Sequence, residues 1–257
     1  MPRPVGQRTV VLVGTLDTKG AEYAFVRDRL REAGVGVTVV DVGILGEPAF
    51  VPDVTAAEVA RAAGRELADL RFAREGSDTR AVALAAMQRG ATALVGELHA
   101  RGACDGVLGL GGSGGSTVIS GVLRALPVGV PKLLVSTMAS GNVRSFIETS
   151  DICLLHPVTD IQGLNRVSRR VLANAAHAMA GMVRGLADLP VADRPLVALT
   201  MMGVTTPAGQ RAQAALEAAG FETIVFHAVG SGGRAMEEMV ASTSRACMAS
   251  PRAVGAR

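Results

Sequence analysis

The sequence predicts an α/β fold: a doubly wound, mainly parallel, Rossmann-like sheet followed by a second, incomplete α/β unit. Three observations carry that prediction. Short apolar runs rich in valine alternate with stretches of helical period. Glycine-rich turns stand where the runs give way to the helices. The opening design of strand, turn and helix ends in Leu-x-x-Ala-Gly at Leu30 to Gly34, and it recurs at Leu216 to Gly220.

The elements follow in order. "RTVVLVGT" (Arg8 to Thr15) is a continuous apolar run, the pattern of a parallel strand covered on both faces. "KGAEYAFVRDRLREAG" reads as an amphipathic helix with Ala21, Phe25 and Leu30 on its inner side and Gly34 as its stop. "VGVTVVDVG" is a second buried strand, and Pro48 to Thr55 is a loop leading into helical stretches up to about Gly76. "SDTRAVALAAMQRGATALVGELHARG" is a long helix with Ser77 or Asp78 as its cap. A short strand, Gly106 to Leu110, enters the loop "GLGGSGGST", and "STVISGVLRAL" leaves it as a helix.

"PKLLVST" is the next strand, "MASGNVRSFIETS" a loop and "DICLLHPV" a further strand. The stretch "TDIQGLNRVSRRVLANAAHAMAGMVRG" reads as a helix, with Ile161, Leu164, Val167, Val171 and Leu172 inward and His177 packed among alanines. Two prolines in "LADLPVADRP" mark a boundary, so the expected domains are 1–186, a linker at 187–194 and a second unit at 195–240. That second unit shows two strands and a repeated GSGG at Gly230 to Gly233, while 241–257 is an atypical tail without strand or helix period.

Composition narrows the function. Apolar residues at 49% and charged residues at 19% describe a chain that folds. Aromatics at 3%, with no Trp, argue against base-stacking nucleic-acid platforms. The net charge of +3 equals the three arginines of the tail, Arg245, Arg252 and Arg257, so no basic stripe for a phosphate backbone is visible. Cys104, Cys153 and Cys247 are scattered and include no CxxC, and no His/Cys cluster suggests a metal. The first apolar stretch is too short for a signal or membrane segment, and the expectation is a cytoplasmic protein with neither membrane nor nucleic-acid partner.

Chemistry is expected in the loops beyond the carboxyl ends of the strands. "GLGGSGGST" holds five glycines in nine positions and fits three motifs loosely. The dinucleotide reading wants an acid at the end of the next strand, where Ser136-Thr137 stands instead. The P-loop reading fails at its lysine, which is Gly115 here. The GxSxG reading sets Ser113 in a strand-turn-helix context and leaves a serine hydrolase as an alternative, with Asp151 or Asp160 and one of His156, His177 or His227 as partners. A plain tight crossover explains fewer glycines than are present.

"GTLDTKG" adds Asp17 and Lys19 at the first strand's exit, set either for a ligand or for a helix cap. Asn165, Arg166, Arg169 and Arg170 form a cationic face that is either solvated or turned to the ligand.

"VGTLDTKG", "LGLGGSGGS", "GVPKLLVSTMASGNV", "TSDI" and "GLNRVSRRVLANAAHAMAGM" occur in one order. Together they resemble the family named for the ATP-binding domain of the tomato tobamovirus-resistance protein, over about Arg8 to Gly185 and then Pro195 to Met236. The resemblance implies a two-domain α/β protein, commonly a dimer, whose N-terminal half binds ATP, with or without magnesium. It implies no reaction. It puts the phosphates near Gly111, Gly112, Ser113, Gly114, Gly115 and Ser116. Thr15, Asp17 and Lys19 are the implied walls on one side, and Ser136, Thr137, Ser140, Gly141 and Asn142 on the other.

Relatives of this kind often carry Asp where Asn142 stands and Gly where Glu148 stands. Their second domain runs well over a hundred residues further, so the resemblance implies a shortened C-terminus, with the match stopping near Val240. An interaction module is the remaining alternative, suggested by the unfinished second unit.

Overall fold

The computed structural model describes residues 7–72, 77–186, 194–242 and 246–249. The chain divides into two compact units, Met1–Leu186 and Ala187–Arg257. Among the described residues no helix is long and apolar enough to cross a membrane.

The first unit opens with β1 (Thr9–Gly14), α1 (Leu16–Glu32), β2 (Gly36–Asp41), α2 (Ala56–Ala62), α3 (Leu67–Phe72) and α4 (Ser77–Ala100). It continues with β3 (Gly106–Gly111), α5 (Ser113–Arg124), β4 (Lys132–Ser136), α6 (Arg144–Ile147), β5 (Cys153–Leu155) and α7 (Arg166–Arg184). All five strands are parallel and lie in the order β2-β1-β3-β4-β5. The order reverses between β1 and β3, so the crevice of this doubly wound sheet lies at their carboxyl ends.

Both faces of the sheet are covered. Val11, Val13, Val107 and Leu134 face a core shared with α2, α4 and α5, while Val10, Leu12, Leu108 and Leu133 face α1 and α7. That is why the strands read as unbroken apolar runs.

Several elements differ from the sequence-based expectation. Helix α1 begins at Leu16, not Lys19, because the turn out of β1 is already helical, with Lys19 as a non-helical residue inside it. Its inner face is Leu16, Tyr23, Val26 and Leu30; Ala21 is exposed and Phe25 half-buried. The side chains at the start of α4, where Ser77 or Asp78 was expected to cap, lie outside the described residues.

Strand β5 has three residues only, since Pro157 cannot donate to a ladder and Val158 turns sharply at φ 68°. Helix α7 starts at Arg166, where Asn165 Oδ1 accepts the N–H groups of Val167 and Ser168 at 2.9 Å each. Its buried side is Leu172, Ala175, Met179 and Val183, so Val167 and His177 are exposed, contrary to the expected pattern. Ile161 is buried, but in the loop before the helix.

The second unit contains β6 (Leu196–Met201), α8 (Thr206–Ala218), β7 (Glu222–His227), α9 (Gly232–Ser242) and β8 (Ala246–Ala249). Its sheet is parallel with order β7-β6-β8. The tail expected to lack strand or helix period therefore supplies the end of α9 and a third strand, with Leu196 opposite Ala246 and Leu199 opposite Ala249. The four-residue run Ala-Cys-Met-Ala is too short for a period to show.

Candidate functional site

The site begins where β1 and β3 part. Their pairing runs from Val10 opposite Gly106 to Val13 opposite Gly109 and then stops. The phenol of Tyr23, fully buried, enters the gap. Its hydroxyl lies 2.7 Å from the Val13 carbonyl and 2.8 Å from that of Leu110, and it accepts the Leu110 N–H at 2.7 Å. Gly14 makes room for the ring, since a Cβ there would stand 1.8 Å from Cζ of Tyr23. Burial drives the phenol pKa far up, so the group stays a neutral donor and acceptor.

Past this gap the glycine stretch is not a free loop. Gly112 is the N-cap of α5, and Ser113, Gly114 and Gly115 form its first turn. The Ser116 N–H already donates to the Gly112 carbonyl at 2.8 Å. The N–H groups of Ser113, Gly114 and Gly115 precede the first helical bonds and have no partner among the described residues.

The glycines fall into two classes. A Cβ on Gly109 would meet Ile119 at 2.4 Å, and one on Gly111 would meet the Ser116 nitrogen at 2.8 Å, so packing demands both. Gly112, Gly114 and Gly115 differ. Their nearest neighbours would be Thr137 Oγ1 at 3.8 Å, Arg80 Nη2 at 3.4 Å and the Leu110 carbonyl at 3.8 Å, and none of the three has positive φ. Neither sterics nor backbone conformation requires glycine at these positions.

What they border is a cavity of about 440 Å³. Its walls differ in chemistry by origin. The turn after β1 supplies Thr15, Asp17, Thr18 and Lys19; α5 supplies Gly112 to Gly115; α4 supplies Arg80. The remaining wall is aliphatic: Val42, Ile44 and Leu45 after β2, Leu70 on α3 and Leu84 on α4. Arg80 has no hydrogen-bond or ion-pair partner among the described residues, and Leu84 lies one turn beyond it on the same face.

The acids near the cavity are occupied. Asp17 makes no helix-capping hydrogen bond; from the cavity wall its Oδ2 accepts the N–H of Leu45 at 2.7 Å and of Gly46 at 3.2 Å. Asp41, buried at the end of β2, accepts from Leu16 at 3.0 Å and from Gly43 at 2.9 Å. Burial pushes the Asp41 carboxyl pKa up against those two donors, which pull it down. Lys19 lines the cavity while its ammonium donates to the Ile161 carbonyl at 2.5 Å. The Thr18 hydroxyl donates to that of Thr15 at 2.8 Å.

Thr15, Asp17, Lys19, Gly112, Ser113, Gly114 and Gly115 thus lie together on the cavity wall. Gly111 and Ser116 lie directly beneath, where the buried Ser116 hydroxyl meets that of Ser136 at 2.6 Å. The other expected wall is not part of the lining. Ser136 is turned inward to Ser116 and accepts the Met138 N–H at 3.1 Å, and Thr137 and Ser140 belong to a short 3₁₀ turn. The Gly141 N–H donates to the Met138 carbonyl, and Asn142 Oδ1 accepts the Arg144 N–H at 3.1 Å.

Sequence reasoning missed Arg80 and the aliphatic wall, which come from α3, α4 and the end of β2. The cationic face of α7 is solvated: Arg166, Arg169 and Arg170 are exposed, with the Arg169 guanidinium 5.5 Å from the Phe25 ring. Ser113 shows no nucleophile-elbow geometry. It has no positive φ, and among the described residues no histidine bonds to it. Asp151 belongs to the opposite end of the sheet, paired with Lys132 at 2.5 Å where β4 begins. Among the described residues no three His, Cys, Asp or Glu side chains converge on a metal position.

The Uncharacterised protein family (UPF0261) N-terminal domain matches residues 8–188, and the UPF0261 C-terminal domain matches residues 194–248. The chain belongs to the UPF0261 family.

A UPF0261 protein of Clostridium tetani is 41% identical over 91% of this chain and 57% of its own length. The ToMV resistance protein Tm-1(GCR237) of Solanum lycopersicum is 39% identical over 90% of this chain and 33% of its own. These relatives bear out the family read from the motifs, and the chain spans little more than half the length of the bacterial one. The C-terminal match reaches residue 248, past Val240 where it was expected to stop. Among solved structures, Acinetobacter baumannii MurG overlays 95% of this chain and 65% of its own at 14% identity and a TM-score of 0.35, too loose a likeness to bear on the site.

Proposed function

We propose that the N-terminal unit binds a nucleotide, ATP being the first ligand to test, with its phosphates against the start of α5. One observation carries the reading: Gly112, Gly114 and Gly115 are glycines that the fold does not need, and they leave three main-chain N–H groups bare at a cavity. A helix start of this kind attracts anions through its unpaired donors and the positive end of its dipole. Arg80 adds a full positive charge beside it, and Lys19 lines the same wall. The cavity size of about 440 Å³ falls within the range of small-molecule sites, and its aliphatic side suits a flat ring.

The residues present fit the phosphates better than a resident cation. Asp17 and Asp41 are taken up by main-chain donors, so magnesium would enter on the phosphates and not on a carboxylate cluster. Calorimetry with ATP, ADP and NADH tests the proposal, and the absence of binding at millimolar ATP, with and without magnesium, rejects it. The implied dimer is read in parallel by light scattering.

A further inference from the structure

We infer that this cavity recognises the phosphate end of its ligand and is indifferent to the base, an inference that rests on the nucleotide reading. Base identity is read by hydrogen bonds to ring edges, and a site built with such donors rejects the wrong partner far more strongly than an apolar slot can. The slot here is made from Val42, Ile44, Leu45, Leu70 and Leu84, which carry no side-chain donor or acceptor.

The main chain of that wall is also largely committed. The Val42 N–H donates to the Gly14 carbonyl at 2.9 Å, that of Gly43 to Asp41 at 2.9 Å, and those of Leu45 and Gly46 to Asp17 at 2.7 and 3.2 Å. Arg71 spends Nη2 on the Gly46 carbonyl at 2.9 Å and pairs with Glu47. Asp17 and Asp41 therefore gather in the amides that would otherwise read N1, N7 or O6 of a base. Arg80 and the amides of Ser113, Gly114 and Gly115, which have no hydrogen-bond partner among the described residues, belong to the phosphate side, while on the apolar wall the Ile44 N–H is the one main-chain donor of residues 42–46 left over. An apolar slot distinguishes rings by area alone.

The experiment is a binding panel of ATP, GTP, CTP, UTP and inorganic tripolyphosphate against the whole chain and a Leu45→Ala variant. Leu45 is half-exposed, so its truncation leaves the fold intact. ATP and GTP are expected within about threefold of each other, with pyrimidines weaker by no more than about tenfold. Leu45→Ala weakens all four nucleotides by about fivefold and leaves tripolyphosphate unchanged. A preference of tenfold or more between ATP and GTP overturns base indifference while leaving the nucleotide reading intact. An unchanged nucleotide affinity in Leu45→Ala overturns the slot. No binding by any of the five overturns both readings together.

Discussion

Replacing Gly114 and Gly115 together by alanine separates a glycine kept for folding from one kept for a ligand. Both lie in the first turn of α5 with helical φ, and the added methyls meet nothing closer than Arg80 Nη2 at 3.4 Å. Each glycine weakens a helix by about 0.5–1 kcal/mol relative to alanine. The double variant should therefore be more stable by about 1–2 kcal/mol. For a unit of this size that is a rise of about 2–8 °C in the thermal midpoint, read by calorimetry or circular dichroism. The same methyls stand where anionic oxygens would approach the amides, so ATP affinity should fall by about tenfold or more, measured by titration calorimetry. Gly111→Ala is the contrasting control, because its Cβ would press on the Ser116 nitrogen at 2.8 Å and cost about 2 kcal/mol or more. A double variant that loses stability, or one that binds ATP as the parent does, refutes the reasoning.

Three further outcomes are expected. Tyr23→Phe removes a hydroxyl that serves Val13 and Leu110 inside the sheet and should cost about 2–3 kcal/mol in urea denaturation; a loss below about 0.5 kcal/mol would show that the hydroxyl holds nothing. Glu148→Gly should stabilise by about 0.5–1 kcal/mol, because Glu148 sits at φ 49° and its exposed ion pair to Arg124, at 3.6 Å, contributes little; a lower midpoint in the variant counts against backbone strain there. For Asp151, burial raises the carboxyl pKa, but the Lys132 hydrogen bond and charge and the Gly129 N–H outweigh it and hold the group below the ordinary 3.8. Its stabilisation is therefore fully present above that value and lost as pH falls below it through the lower pKa of the folded state. Asp151→Asn should be less stable than the parent at pH 7, with the difference closing in acid denaturation scans; a constant difference contradicts the pairing.

Most of the first sheet was legible because each central strand is buried on both faces and so reads as an unbroken apolar run. Helix starts were less so. Leu16 begins α1 one residue after Thr15, in a turn whose polar residues resemble a loop, and the glycines of α5 conceal a helical turn behind low helix propensity. β5 was overextended because Pro157 and Val158 follow Leu155 with strand-like hydrophobicity, and only the backbone reveals the sharp turn. β8 was missed since four residues offer too little pattern.

At the site, the segments following β1 and β3 were found because topology alone brings strand exits together. Ser136 lies off the cavity lining for a physical reason: a hydroxyl at a strand exit can face a crevice or a neighbouring hydroxyl, and Ser116 supplies the latter. Arg80 gave no local signal. It is one arginine on a long helix, and only the approach of α4 to α5 places it beside Gly114.

The glycine stretch and the Tyr23 phenol together have a mechanical consequence. An aromatic spacer that belongs to α1 and is bonded to both neighbouring strands fixes how far apart they stand as soon as the chain has folded. The cavity beyond it is then shaped in advance, so a nucleotide bound as proposed would find its dimensions already set instead of prising the sheet apart.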